Sequence, residues 1–126
     1  MTENDISYQI RGAIYDVYNA LGPGLLENIY EAALIVELRD HRGLAVEQQV
    51  PLDVFYKGSK LAIDYRLDLL VEDKVIVELK SVEEMKKVFH LQLKTYLKIS
   101  NRRLGILVNF NCDNIDKNIW RIVNNL

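Results

Sequence analysis

Apolar residues recur at helical spacing in two stretches near the amino terminus. In the first, from about Asp5 to Leu21, isoleucine, valine and leucine return every three or four residues, which predicts an amphipathic helix. Gly22-Pro23-Gly24 ends this helix, because proline and glycine both disfavour its continuation. A second helix is predicted from about Leu25 to His41, shortly before Gly43.

The middle of the chain changes to the patterns of β-strands. Strands are predicted at Val46–Tyr56, Leu61–Val71 and Val75–Ser81. The first two are separated by a turn at Lys57-Gly58-Ser59, and the last two by a short turn at Glu72-Asp73-Lys74. The three strands are therefore expected to form an antiparallel meander.

A third helix and a buried strand complete the pattern. The helix is predicted from Glu83 to Ile99, and the almost wholly apolar run Leu104–Phe110 is typical of a strand inside a sheet. The tail, Asn111–Leu126, is compatible with a short strand or a helical turn. The order α-α-β-β-β-α-β, with a short final element, predicts an α/β (α+β) fold in which helices flank a mixed sheet.

Composition supports one compact domain over residues 1–126. The chain has 126 residues, 49% of them apolar, which excludes disordered, collagen-like and disulfide-scaffold classes. A single cysteine, Cys112, favours a reducing compartment. The polar amino terminus is unlike a signal peptide, and no apolar run reaches the roughly 20 residues that span a bilayer. We therefore expect a soluble, cytoplasmic protein with no membrane partner.

Charge is unevenly distributed along the chain. The overall net charge of −2 argues against general nucleic-acid binding, yet residues 80–103 contain seven lysines and arginines and only two glutamates. This basic segment could bind a phosphate backbone, or it could be a solvated helix face. Its DNA-backbone candidates lie on the predicted third helix and just after it: Lys86, Lys87, Lys94, Lys98, Arg102 and Arg103.

The predicted hairpin carries the residues with the clearest chemistry. Because side chains alternate along a strand, Glu78 and Lys80 share one face with Ile76. The short turn can bring Asp68 beside Glu78, where two carboxylates would repel each other unless a cation lies between them. Oxygen ligands suit Mg²⁺ or Mn²⁺, and Lys80 could then assist a water molecule or neutralise a phosphate. The alternative is a surface hairpin with a salt bridge to Lys80.

Two helical residues could belong to the same polar site. Gln92 interrupts the predicted apolar stripe of the third helix, and a buried amide needs hydrogen-bond partners. Glu27 lies in line with Tyr30, Leu34 and Leu38 at the start of the second helix. Gln92 could instead bond to loop backbone, and Glu27 could simply favour the helix amino terminus.

The segment Gly24–Tyr30, with sequence GLLENIY, resembles the signature of the GxxExxY proteins, small bacterial and archaeal members of the PD-(D/E)xK nuclease superfamily. Later blocks are similar in the same order, so that the likeness covers nearly the whole chain. They are Tyr65-Arg66-Leu67-Asp68, Val77-Glu78-Leu79-Lys80, Gln92 with Tyr96-Leu97, and the strand Leu104–Phe110.

This resemblance implies a restriction-endonuclease-like fold and assigns roles to the motif residues. It implies that Asp68 and Glu78 bind the metal, that Lys80 assists the water, and that Glu27 completes or braces the metal site. The motif on the third helix, Gln92 and Tyr96, would orient the site or contact the DNA backbone. The family motif comprises Gly24, Glu27, Tyr30 and Tyr96.

The sequence therefore predicts a Mg²⁺-dependent phosphodiesterase, a hydrolase that cleaves DNA with activated water. The alternative is a catalytically silent nuclease fold that binds DNA or serves as a subunit of an assembly, which the small size of the chain would suit. A homodimer is compatible with either function, but the sequence identifies no interface.

Overall fold

The structure is a computed structural model that describes residues 1–126. Its helices are α1 (Glu3–Leu21), α2 (Glu27–Val36, continued by a wider turn at Glu37–His41) and α3 (Lys87–Ser100). A short 3₁₀ turn follows at Ile115–Asn118. Its strands are β1 (Val46–Pro51), β2 (Phe55–Tyr56), β3 (Ser59–Lys60), β4 (Arg66–Val71), β5 (Val75–Lys80), β6 (Leu104–Asn109) and β7 (Ile119–Val123).

Five of the strands form one mixed sheet, in the order β1-β4-β5-β6-β7. Only the central pair, β5 and β6, is parallel, and α3 makes the crossover between these two strands. The remaining neighbours are antiparallel. This is the mixed sheet flanked by helices that the sequence predicted, and it has the architecture of a restriction-endonuclease-like fold. The prediction of the fold class is confirmed.

Each face of the sheet has its own hydrophobic core. Helices α1 and α2 cover the face that carries Val77 and Leu79, whereas α3 covers the face that carries Ile76. Helix α3 approaches β6 so closely that a Cβ on Gly105 would lie 2.9 Å from the side chain of Leu93, which explains the glycine in a buried strand. The two cores fix both helical layers against the central strands.

The strand predicted for Val46–Tyr56 is wrong in its second half. Strand β1 ends at Pro51, which has no N–H with which to extend the ladder, and Leu52 turns into the core beneath α3. The chain then forms the small separate hairpin of β2 and β3. The next strand begins at Arg66 rather than at Leu61, because residues 61–65 return from that hairpin.

The third helix starts four residues later than predicted. Asn109, buried at the end of β6, accepts a hydrogen bond from the main-chain N–H of Val82 (3.1 Å) and donates one to its carbonyl (3.0 Å). These bonds hold the chain in an irregular conformation, and Glu83 and Glu84 lie exposed before the helix. The ambiguous tail forms the 3₁₀ turn and the edge strand β7.

The ends of the chain are held at the same end of the sheet as the β4–β5 turn. Lys74 of that turn donates a hydrogen bond of 2.6 Å to the carbonyl of Met1, and Arg103 donates one of 2.9 Å to the carbonyl of Asn125. Arg102 binds Asp73 of the same turn at 2.7 Å. No helix has both the length and the apolar character needed to cross a membrane.

Candidate active site

Strands β4 and β5 separate at the end of the sheet opposite their turn. Their paired residues end with Leu69 opposite Val77, and the same register places Asp68 opposite Glu78. Beyond this point the main-chain N–H of Leu79 donates to Oδ2 of Asp68, at 2.9 Å, instead of to a carbonyl of β4. The Asp68 side chain therefore lies in the gap between the strands, next to Glu78.

Glu78 is a buried carboxyl group with an unsatisfied oxygen. Its side chain is on the α3 side of the sheet, only 5% of the residue is exposed, and Oε1 has no hydrogen-bond partner. Burial and the neighbouring Asp68 raise the pKa of Glu78 to about 10, while Lys80 opposes this shift. The ionised form of Glu78 therefore needs a further positive charge nearby.

The donor set of this pair fits a hard divalent cation. Asp68 and Glu78 offer carboxylate oxygens, the ligands that Mg²⁺ and Mn²⁺ prefer, and the orphaned Oε1 of Glu78 is free to coordinate. No group of three histidine, cysteine, aspartate or glutamate side chains converges closely enough to hold a metal ion. The two carboxylates alone could still serve Mg²⁺, which commonly keeps several water ligands.

Lys80 lies at the end of β5 on the same face as Glu78. Its ammonium Nζ is 4.5 Å from the centre of the Phe89 ring, near the start of α3, so a cation–π contact helps to hold the side chain. The strand register places Lys80 beside Asn109 of β6. The hairpin and α3 together therefore bring an ammonium group to the edge of the carboxylate pair.

Glu27 reaches the same region from the other helical layer. Its side chain is half-buried, and burial together with Asp68 raises the pKa of Glu27, whereas Lys80 lowers it. These mutual effects place Glu27 within electrostatic range of both residues. The amino-terminal flanking residue of α2, Leu26, makes no side-chain capping bond, so α2 begins without a polar cap of its own.

The loop before Glu27 is held by residues of the GLLENIY segment itself. Gly24 has a positive φ of 96°, a conformation that favours glycine. The Tyr30 hydroxyl accepts a hydrogen bond from the N–H of Leu25 (3.1 Å) and donates one to the carbonyl of Gly22. Ser81, directly after Lys80, donates to the carbonyl of Leu25 at 2.6 Å. These bonds connect the start of α2 to the end of β5.

A second acidic residue on α2 was missed from the sequence. Glu31 is buried, adds to the raised pKa of Glu27, and accepts a hydrogen bond of 2.9 Å from the side chain of Gln49. Gln49 has a positive φ of 52° and lies opposite Asp68 in the register of β1 and β4. The four-residue spacing of Glu27 and Glu31, which places both on one side of a helix, was the available signal.

Two tyrosines border the site on the α3 side. The rings of Tyr65 and Tyr96 are in contact, with their centres 4.5 Å apart. Burial raises the pKa of both hydroxyl groups, and the nearby charge of Glu78 contributes to each shift. Tyr96 belongs to the predicted helical motif, whereas the sequence predicted no role for Tyr65.

Gln92 is exposed, contrary to the prediction that it lies under the helix. The buried residues of α3 are Leu93 and Leu97. Each directly follows a residue of the predicted helical motif, Gln92 or Tyr96. Because residues four apart are neighbours on a helix, Gln92 and half-buried Tyr96 still share one side of α3. Gln92 therefore has no buried partner beneath it and faces solvent.

The basic residues do not form one surface beside the site. Lys86 and Lys87 lie at the start of α3, near Lys80, whereas Arg102 and Arg103 lie at the far end, where they bind Asp73 and the chain terminus. Lys94 donates to the carbonyl of Val123, and His90 of the same helix packs edge-on against Trp120. Lys98 is exposed in the last turn of α3.

A sequence model of the PD-(D/E)XK nuclease superfamily matches residues 4–122. The chain belongs to the PD-(D/E)XK nuclease superfamily. Strands β4 and β5 bring together Asp68, Glu78 and Lys80, the residues for which the sequence resemblance predicts the metal site. The narrower likeness to GxxExxY proteins stays a prediction.

Comparison with solved structures supports the same fold. The crystal structure of SSO0001 superposes with a TM-score of 0.58 at 23% sequence identity, over 79% of this chain and 51% of that one. This PD-(D/E)XK chain thus spans about half the length of SSO0001. The sequence matches none of the curated proteins with which it was compared.

Proposed function

We propose that this superfamily member is a Mg²⁺- or Mn²⁺-dependent nuclease that hydrolyses phosphodiester bonds of DNA. The observation that carries the proposal is the buried, unpartnered Oε1 of Glu78 beside Asp68 and Lys80. A buried carboxyl group without a partner costs stability, and such groups concentrate where function requires them.

Asp68 and Glu78 would hold the metal in this proposal. Asp68 is fixed by its bond to the Leu79 N–H through Oδ2, which leaves Oδ1 outside that bond, and Glu78 offers Oε1. When bound, the cation supplies the positive charge that acidifies water and stabilises the phosphate oxygens in the transition state. It would also provide the charge that ionised Glu78 needs in its buried position.

Lys80 and Glu27 would complete the chemistry from opposite sides of the carboxylate pair. The ammonium of Lys80, supported by Phe89, is suited to orient the attacking water or to neutralise charge that develops on the phosphate. Glu27 has a raised pKa and lies near Asp68 and Lys80, so it is suited to accept a proton or to brace the site.

The surface around the site would receive the phosphate backbone. Lys86 and Lys87 lie at the start of α3 on the side of Lys80, and Gln92 is exposed on the same helix above Tyr96. Cationic and amide side chains in these positions suit contacts with phosphate oxygens, which would contribute affinity without sequence preference. The unpaired Cys112 is consistent with a reducing, cytoplasmic compartment.

A cleavage assay tests the proposal. Supercoiled plasmid and labelled oligonucleotides are incubated with Mg²⁺, Mn²⁺ or EDTA, and wild type is compared with Asp68→Ala and Lys80→Ala. We expect metal-dependent cleavage that each substitution lowers by at least about 100-fold. Asp64→Asn is the matched control, because Asp64 is an exposed acid on the way into β4 that pairs only with Arg66.

Two outcomes contradict the proposal. Cleavage that is equal in wild type and Lys80→Ala would come from another site or from a contaminant. DNA binding without cleavage, together with no uptake of Mn²⁺ in calorimetry, would favour the alternative of a catalytically silent DNA-binding or assembly subunit.

A further inference from the structure

The β2–β3 hairpin, which we define as residues 55–60, exposes two aromatic rings. Phe55 is 62% exposed and Tyr56 is 61% exposed, and the residues that follow the hairpin add the exposed side chains of Leu61 and Ile63. Isolated apolar residues are common on protein surfaces, but a cluster of this kind within nine residues marks an interaction site. Neither ring packs in the hydrophobic core on either face of the main sheet.

Positive charge accompanies these rings. Lys57 holds its Nζ 5.4 Å from the centre of the Tyr56 ring, and Lys60 follows three residues later. Lys60 pairs with Asp53 at 3.2 Å, but both side chains are mostly exposed, so this salt bridge is weak and can exchange partners. The hairpin itself contains two lysines and no acidic residue, and the exposed acids Asp53 and Asp64 flank it, where each pairs with a basic side chain. Its charge is therefore complementary to a polyanion.

Main-chain hydrogen bonds connect the segments on either side of the hairpin to the candidate active site. The N–H of Leu52 donates to the carbonyl of Tyr65 (2.9 Å), and that of Leu61 donates to the carbonyl of Val54 (2.8 Å). This ladder leads from Tyr65, which contacts Tyr96 at the site, outward to Tyr56.

A groove lies between the hairpin and the carboxyl-terminal end of α3. It has a volume of about 500 Å³ and is lined by Leu52, Phe55 and Ile99, with Arg102 at one side. Its walls are mainly apolar, and one edge is formed by the exposed ring of Phe55. Arg102 is paired with Asp73, so the apolar walls are the part of the groove that suits a nucleobase.

We propose that the β2–β3 hairpin binds unpaired bases of the DNA substrate, an inference that rests on the proposed nuclease function. Phe55 and Tyr56 stack on the bases, and Lys57 and Lys60 contact the flanking phosphates. Stacking requires an accessible base face, which a duplex hides, so the hairpin selects DNA that contains a single-stranded segment.

Binding without turnover tests this inference. Fluorescence anisotropy in EDTA measures the affinity for a labelled single-stranded poly-dT of about 12 nucleotides, a length within the usual range of single-strand sites, and for a blunt duplex of equal length. We expect Tyr56→Ala and Phe55→Ala each to weaken single-strand binding by at least about fivefold, and Tyr56→Phe to retain it, because a phenyl ring still stacks.

The matched control is Tyr8→Ala. Tyr8 is 76% exposed, but it lies on α1, on the opposite face of the sheet, so its removal should leave binding unchanged. All substituted rings are exposed, so the variants should fold, and circular dichroism checks this. Equal losses for single strand and duplex, or no loss for either ring, would overturn the inference.

The hairpin could instead be an interface between two copies of the chain, and the same variants reveal it. A change from dimer to monomer in sedimentation, with unaltered DNA affinity, would overturn the inference. Failure of this inference can be distinguished from failure of the proposed nuclease function. Metal-dependent cleavage that is identical in the hairpin variants refutes only the inference, whereas ring-dependent binding by a wild type that cleaves no DNA refutes only the nuclease activity.

Discussion

The carboxylate of Asp68 accepts a hydrogen bond of 2.9 Å from the main-chain N–H of Leu79. This bond replaces a rung of the β4–β5 ladder at the point where the two strands diverge. Asp68 therefore satisfies the backbone with one oxygen, and its second oxygen takes no part in this bond. The residue that supports the strand separation is thus also one that we propose as a metal ligand.

Because Asp68 both accepts this hydrogen bond and is a proposed metal ligand, two substitutions of it should have different effects. Asp68→Ala leaves the Leu79 N–H without an acceptor and should lower the free energy of unfolding by about 1–3 kcal/mol. Asp68→Asn keeps an acceptor oxygen and should lose less stability, but it removes the charge that would hold Mn²⁺. Urea denaturation and calorimetry with Mn²⁺ measure the two properties. Equal stability of the two variants would show that the hydrogen bond does not matter.

The raised pKa of Glu78, to about 10, makes the stability of the metal-free protein depend on pH. Because the folded carboxyl binds its proton more tightly than the unfolded one, its contribution is complete below about pH 4.5 and is lost as the pH rises toward 10. Glu78→Gln removes this loss. We expect the variant to be more stable than wild type by at least about 1 kcal/mol at pH 8.

Urea denaturation at pH 5 and pH 8, in EDTA, checks this prediction. The gain should be clearly smaller at pH 5, where the wild-type carboxyl is protonated in the folded state. Glu83→Gln is a suitable control, because Glu83 is exposed in the segment before α3. A gain of the same size at both pH values would mean that Glu78 does not titrate in this way.

Metal affinity should depend on pH for the same reason. Coordination requires ionised Glu78, whose proton is held by burial and by Asp68, while Lys80 works in the opposite direction. The tyrosines Tyr65 and Tyr96 stay protonated, because burial raises the pKa of both. Mn²⁺ affinity should therefore rise by up to about tenfold per pH unit between pH 6 and 9. Calorimetry that finds a constant affinity over this range would contradict the prediction.

The Tyr30 hydroxyl should matter for activity through Glu27. Tyr30→Phe removes the bonds to the Leu25 N–H and the Gly22 carbonyl, which shape the loop before α2. We expect a loss of about 1 kcal/mol in stability and a larger relative loss of metal-dependent cleavage, chiefly in kcat. Tyr18→Phe is the control, since the Tyr18 hydroxyl bonds the carbonyl of Cys112 instead. Equal activity losses in both variants would argue against a role in positioning.

Local sequence pattern predicted the centre of the molecule well. The alternation of Ile76, Glu78 and Lys80 against Val77 and Leu79 follows from the period of a strand, and the structure shows it. A short turn between two strands also determined that Asp68 lies opposite Glu78. Their roles in metal binding remain predictions, because geometry alone does not demonstrate chemistry.

Tertiary contacts explain the features of the structure that local sequence pattern did not predict. Helix α3 has apolar residues on more than one side, and only its packing against β6 selects Leu93 and Leu97 over the stripe of Gln92. The delayed start of α3 depends on Asn109, which is distant in sequence from Val82. Glu31 was overlooked because its partner, Gln49, lies eighteen residues away on another element.

The positions of Met1 and Asn125 determine how this domain can be joined to other polypeptides. Both are held near the β4–β5 turn, at the pole of the sheet remote from Asp68 and Glu78. A tag, reporter or targeting module fused at either terminus would thus leave from the back of the protein. Material attached there would stay clear of the edge of the sheet at which Asp68 and Glu78 lie.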